Sequence, residues 1–164
     1  MPAVQHFCEW VSSTGFSIAL RKSIWAFPIV ESLHVLGIVL LVGSVALLDL
    51  RLLGYIMKHE PVSKIAHSVS RWTWAGFALM FVTGLLLSAA EAAENYFNLA
   101  FRIKLALLVL VGLNPLIFHL TIFRSVNSWD LSNVIPWRAR AAAWSSLVLW
   151  AGIVVAGRMI AYIH

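Results

Sequence analysis

Charged residues are scarce in this sequence. Only 12% of its 164 residues are Asp, Glu, Lys or Arg and 61% are hydrophobic, whereas a soluble domain has roughly 25% charged and about 45–50% apolar residues. This scarcity excludes an ordinary soluble domain. The apolar residues come in four long runs, and each reaches the roughly 20 residues that cross about 30 Å of hydrocarbon. We therefore predict a single transmembrane domain over residues 1–164, in contact with a lipid bilayer.

Cysteine and known catalytic motifs are also nearly absent. Cys8 is the only cysteine, which excludes an intrachain disulfide and a metal site built from several thiolates. The sequence has no phosphate-binding loop, nucleophile elbow or HExxH pattern. Although the net charge is +5, the basic residues stand at the ends of the apolar runs and form no basic tract. The sequence therefore predicts no nucleic-acid partner.

The four runs and the short polar stretches between them predict an all-α fold. We expect membrane spans near residues 25–48, 71–90, 101–123 and 140–162, preceded by an N-terminal interfacial helix within residues 4–20. Short connections make consecutive helices antiparallel neighbours, which predicts an up-down four-helix bundle. Pro115 predicts a kink in the third span because proline removes a hydrogen-bond donor. Gly37, Gly43 and Ser44 allow close helix packing in the first span.

Lys and Arg residues divide unevenly between the two ends of the predicted helices. The loop end, formed by the first and third loops, has seven of them: Arg51, Lys58, Lys64, Arg71, Arg124, Arg138 and Arg140. The terminal end carries both chain termini and the second loop, and it has five: Arg21, Lys22, Arg102, Lys104 and Arg158. Since basic loops stay in the cytoplasm, this bias predicts that both termini lie outside, which is the periplasm if the cell is bacterial.

Glu31 and His34 are the first pair of ionisable residues inside an apolar run. They are three positions apart and share one face of a helix. Di-iron bundles use two Glu-x-x-His sequences, and this chain has one, which argues against a di-iron centre. A carboxylate can instead hold one ring nitrogen of a histidine and leave the other free to bind a metal. The alternative is a polar pair that only joins two helices.

His119 is the second intramembrane histidine, in the run that carries Asn114 and Pro115. Imidazole is a common axial ligand of haem iron, and facing helices can supply one each. The helical rise places His34 and His119 about 15 Å apart along the membrane normal, so they bind one shared haem only if tilt removes this offset. Alternatively, His119 bonds a carbonyl freed by Pro115.

Other histidines offer weaker candidates. His67 becomes a partner for His119 only if the second helix begins near Val62, and its polar neighbours favour an exposed position. His6, His59 and His164 are predicted at the surface.

Three cations near the terminal end, Arg102, Lys104 and Arg158, suit the two propionates of a haem or an anionic lipid headgroup. Long basic side chains also reach the interface without any ligand. Arg158 lies within the last apolar run, where an ion pair with Glu31 would offset the cost of burying its charge.

Four segments together carry a family resemblance: ESLHVLGIVLLVGSVALLDLRLLG (31–54), RWTWAGFALMFVTGLLL (71–87), FRIKLALLVLVGLNPLIFH (101–119) and GRMIAY (157–162). They resemble a widespread, largely uncharacterised family of small bacterial four-helix inner-membrane proteins. That family is loosely similar to copper-resistance-D-type domains and to small b-type membrane cytochromes. The resemblance implies that His34 and His119 are the positions most relevant to function.

These features favour a haem b-binding membrane protein that transfers electrons to or from quinone or a periplasmic redox protein, either alone or as a homo-oligomer. His34 and His119 are the expected iron ligands, of one haem or of separate haems, with Glu31 beside His34 and the three cations at the propionates. One alternative is copper handling or transport without haem, using His34, Glu31 and Met159. Another is a structural subunit whose histidines only join helices.

Overall fold

The computed structural model describes residues 2–123, 126, 129–130, 135–160 and 162. Within these residues the chain forms helices and no strand. In order they are α1 Pro2–Ser13, α2 Gly15–Lys22, α3 Ala26–Leu52, α4 Val62–Ala90, α5 Ala92–Phe97, α6 Leu99–Ile117 and α7 Trp137–Met159. A short π-helix, Phe118–Ile122, continues α6 directly. Most of the third loop and His164 lie outside the described residues.

Four of these helices are long and apolar enough to cross a membrane: α3, α4, α6 with its extension to Thr121, and α7. This confirms the four long apolar helices expected from the sequence, although their bounds differ. The largest difference is at α4, which begins at Val62 rather than near Arg71. The Ser63 backbone N–H donates to Asp130 Oδ1 over 2.9 Å, so a residue distant in sequence caps the first turn of α4.

The long helices pack in the order α4, α3, α7, α6. The α3–α4 pair is antiparallel and very close. A Cβ atom on Gly76 would lie 2.5 Å from the Leu41 nitrogen, and one on Gly37 would lie 2.8 Å from the Met80 nitrogen. By contrast, Gly43 faces open space. Since α4 and α6 scarcely touch, a gap separates them.

Apolar side chains cover the outside of the long helices. Val39, Val109, Val148 and Val155 are each more than 60% exposed in the isolated chain. Such surfaces would be costly in water, and their position on helices of spanning length suggests contact with lipid.

The N-terminal segment differs from the single interfacial helix expected. It forms two helices, because the backbone is extended at Thr14, whose side chain caps α2 by accepting from the Ser17 backbone N–H. Helix α1 packs on α5 and α4, and α2 packs on α3 and α4. The terminal end is therefore covered by packed helices.

The loop end contains a compact apolar cluster. Its buried members are Leu52, Leu53, Val62, Phe118, Val126, Trp129, Ala139 and Ala143. Asp49 and Arg51 directly follow the first predicted span, where charged residues are expected at the membrane surface, but they are only 6% and 4% exposed. The Arg51 guanidinium donates from Nε and from a terminal nitrogen to the Glu60 carbonyl, over 2.9 and 2.8 Å. The first loop folds back on α3 to make this contact.

Candidate functional site

His34 is half-buried and lies against α4. Its Nδ1 is 3.0 Å from Thr83 Oγ1, and Thr83 is only 4% exposed. The Thr83 hydroxyl donates its one proton to the Leu79 carbonyl over 2.6 Å, so it accepts at the His34 contact. We therefore assign the His34 proton to Nδ1, which leaves a lone pair on Nε2.

The space beside α4 also fixes the position of the His34 ring. A Cβ atom on Gly84 would lie 3.2 Å from His34 Cε1, so the glycine leaves room for the flat imidazole. The Met80 carbonyl is a further acceptor close to the ring. Among the described residues no group forms a hydrogen bond with Nε2. The site thus has one oriented imidazole nitrogen with a free lone pair, as a metal ligand requires.

Lys104, on α6, lies at the same height along the helices as His34, and this height is called the His34 layer below. Its Nζ lies 3.6 Å from the position that a Cβ atom on Gly157 of α7 would take, and its charge acts on the His34 imidazole. It forms no hydrogen bond or ion pair with another described residue. A half-buried, unpaired ammonium is costly in an apolar setting, so this position suits an anionic group.

A cleft opens beside this layer, in the gap between α4 and α6. Its volume is about 460 Å³, and its walls come from α1, α5 and the terminal ends of α4 and α6, including Cys8, Ser88, Tyr96, Phe101 and Arg102. Ser88 is one turn beyond Gly84, so the cleft begins about 6 Å along α4 from the imidazole. Its size falls in the range of small-molecule sites, and its mostly apolar walls contain one cation.

His119 is far from His34. The contacts of Lys104 place it level with His34, and His119 follows Lys104 by fifteen residues on one continuous helical segment. At 1.5 Å per residue the two histidines are about 22 Å apart along the helix. The His119 ring is exposed and stacks on Phe123 with ring centroids 4.8 Å apart. The structure therefore does not bring the two predicted ligands together, and among the described residues the His119 side chain forms no hydrogen bond with a carbonyl near Pro115.

Glu31 and Arg158 also do not form the contacts that the sequence predicted, namely Glu31 with His34 and Glu31 with Arg158. Glu31 is exposed and forms no hydrogen bond with His34, because Thr83 from the adjacent helix takes that role. Arg158 donates to the Tyr162 hydroxyl over 3.2 Å and lies over its ring. Among the described residues no ion pair joins Glu31 to Arg158. His67, like His119, is exposed, and no hydrogen bond links the two.

Three carboxylates, those of Glu91, Glu94 and Glu31, lie near one another at the terminal end. Partial burial raises the pKa of Glu91, and the neighbouring carboxylates of Glu94 and Glu31 raise it further, while Arg21 opposes them. Arg21 lies 4.0 Å from Glu94 and also donates to the Ala90 carbonyl over 3.4 Å. These contacts fasten α2 over the ends of α4 and α5, beside the cleft.

Two polar contacts were missed by the sequence reasoning. Thr83 is one of a few polar residues in an apolar run, and only its position opposite His34 reveals its role. Asn114 donates to the Ala142 carbonyl and to Ser145 Oγ, over 3.0 and 2.8 Å. It fastens α6 to α7 and takes no part in the His34 site.

One family profile matches residues 7–163, nearly the whole chain, and its description is a family of unknown function, DUF6644. The chain belongs to this family. No curated protein and no solved structure matches the chain significantly. None of these comparisons links it to copper-resistance-D-type domains or to b-type cytochromes, so the family membership alone gives no activity.

Proposed function

We propose that this protein is a multi-pass membrane protein that binds haem b at His34 and takes part in electron transfer. The observation that carries the proposal is the imidazole of His34, with Nδ1 held by Thr83 and Nε2 without a partner. This arrangement fixes the tautomer and the direction of the lone pair before any ligand binds, as is usual for metal-binding histidines.

A porphyrin fits this donor set better than a bare metal ion does. Among the described residues no three His, Cys, Asp or Glu side chains lie close enough to hold a metal. A metal ion without haem would thus have His34 as an isolated ligand, and Glu31 does not join it. This disfavours the copper alternative. Haem brings four ring nitrogens of its own and needs only an axial ligand from the protein.

The cations near His34 have separate roles in this proposal. Lys104 faces the His34 layer and would neutralise a propionate. Arg102 lines the cleft and would hold the polar head of a quinone, whose apolar tail the cleft walls suit. When bound, haem would supply one-electron redox chemistry. His34 and Lys104 bind and orient it, and the apolar helices exclude water. Arg158 and His119 are not assigned to this site.

The rest of the proposal concerns the membrane. The helices form an up-down bundle in a bacterial inner membrane, with both termini in the periplasm. The basic bias of the loop end supports this orientation. Reporter fusions test it: a fusion after Tyr162 should be active only with a periplasmic reporter, and one at Lys58 only with a cytoplasmic reporter. Activity of the opposite reporters would reverse the orientation.

The absorption spectrum of the purified protein tests haem binding. The wild-type protein should show a Soret band, and His34→Ala should remove it while membrane insertion persists. His119→Ala is the matched control and should keep the band. A quinol analogue should reduce the bound haem, and Arg102→Gln should slow this reduction without changing haem content. A colourless wild-type protein, or a band that survives His34→Ala, would reject the proposal.

A further inference from the structure

Asp49 is a buried carboxyl group near the loop end of α3. It is 6% exposed and lies three residues before the end of the helix at Leu52. The side chain faces α7, where the buried hydroxyl of Ser146 is the polar group closest to it. The adjacent residues Leu48 and Leu52 belong to the apolar cluster of this end.

One carboxyl oxygen of Asp49 has no partner. Oδ2 is inaccessible to solvent and accepts no hydrogen bond. Most buried polar atoms are hydrogen-bonded, and an exception calls for an explanation. Because a carboxylate accepts at both oxygens, the Ser146 hydroxyl alone leaves an ionised Asp49 under-solvated.

No described cation compensates a charge on Asp49. Arg51, on the same helix, donates to the Glu60 carbonyl. On α4 the groups at this height are His67 and Arg71, and both are exposed. On α7 and the π-helix the nearest titratable residues are Arg138, Arg140 and His119, all exposed as well. Helix α2, with Arg21 and Lys22, lies at the other end of the molecule.

An isolated carboxylate in such a place is far more costly than the neutral acid, since burial penalises the charged form strongly. We propose that Asp49 is a proton-binding site of the membrane domain, which takes up a proton on Oδ2 from the loop side and holds it where α3 meets α7. Proton uptake forms one O–H bond and removes one negative charge. This site is independent of the haem proposal, because it lies about 22 Å along α3 from His34.

The amino-acid composition makes this proposal directly testable. The sequence contains two aspartates, Asp49 and Asp130, so aspartate labelled with ¹³C at its side-chain carboxyl reports on these two sites alone. Asp130 is the internal control. Burial alone would raise the pKa of Asp130, but hydrogen bonds from the side chain and backbone of Ser63 bring it below its usual value, with help from the Arg51 charge.

The labelled protein would be reconstituted in phosphatidylcholine–phosphatidylglycerol vesicles and its carboxyl infrared bands followed against pH at fixed sodium concentration. At neutral pH we expect one protonated-acid band, which Asp49→Asn removes and Asp130→Asn retains. This band should disappear as the pH rises. If Asp49→Asn does not fold, Asp130→Asn assigns the band by elimination, and Ser146→Ala should shift it.

Two results would overturn the proposal. Both aspartates ionised at neutral pH would show that Asp49 carries a charge in the folded protein. A band from Asp49 that responds to sodium at constant pH, and not to pH at constant sodium, would make it a cation site instead. Haem content in the same samples should not depend on Asp49, which separates this test from that of His34.

Discussion

The two ends of the long helices handle their polar residues in different ways. At the loop end, Arg51 and Asp130 are satisfied by backbone groups and by Ser63, and an apolar cluster seals them. At the terminal end, His34 and Lys104 have atoms without partners and adjoin a cleft. Polar groups that the fold itself satisfies have a structural role, whereas oriented polar groups left open beside a cleft suit a ligand. Asp49 is the exception at the loop end.

The close packing of α3 on α4 extends along both helices and joins the two ends, so disrupting it should lower the stability of the protein most. A methyl group on Gly76 would meet the Leu41 backbone at 2.5 Å. We expect Gly76→Ala to cost about 3 kcal/mol of unfolding free energy, the upper part of the range for overpacking. Unfolding of the purified protein in detergent measures this loss. Gly43→Ala adds a methyl group in open space and should leave the unfolding free energy unchanged. Equal losses of unfolding free energy in both variants would contradict the close packing of α3 on α4.

Removing the Arg51 guanidinium should weaken the loop end alone. Arg51→Met removes both donors from the Glu60 carbonyl, and a hydrogen bond to a charged group contributes roughly 2 kcal/mol. Unfolding in detergent should show this loss, while Arg71→Met at an exposed position should show almost none. Haem content should be unchanged in both. Loss of haem from Arg51→Met would mean that the two ends are not separate.

Thr83→Val should weaken haem binding at the terminal end, whereas the Arg51 variant should leave haem binding unchanged. It removes the acceptor of the His34 Nδ1 proton and keeps the shape of the side chain. Loss of such a supporting group commonly weakens metal binding at least tenfold, or about 1.4 kcal/mol. We expect a tenfold weaker haem affinity and a shifted midpoint potential. Thr73→Val, on the same helix outside the site, is the control. Unchanged affinity and potential would remove the orienting role of Thr83.

The smallest effect is expected at the cap of α4. Asp130→Asn removes a charged acceptor from the Ser63 backbone, a change comparable to the loss of an N-cap, which costs about 1 kcal/mol. Because the folded protein lowers the pKa of Asp130, this stabilisation is present above the unfolded-state pKa and is lost as the pH falls through the lower folded-state value. Wild type and variant should therefore converge in stability only in acid. A difference that persists in strong acid would contradict the ionised cap.

The long apolar helices followed from the sequence because their length and composition alone decide them. The start of α4 did not, because Asp130 from a distant segment caps it. Glu31 and His34 lie three residues apart on one helix, as the sequence predicted. The hydrogen-bond partner of His34, however, is Thr83 on another helix and not Glu31. Asp49 and Arg51 looked like surface charges because they follow an apolar run, and only the folded first loop and α7 bury them. Contacts between helices thus decided most of the site.

The most direct test of the account is a haem titration of the apo-protein in nanodiscs, followed by the Soret band. If His34 is the haem ligand, wild type and His119→Ala should each bind one haem per chain and His34→Ala should bind none. The exposed position of His119 and its distance of about 22 Å from His34 along the helix are the reasons for this asymmetry. Equal loss of haem from both variants, or no binding by the wild type, would contradict the assignment of His34 as the haem ligand of this chain.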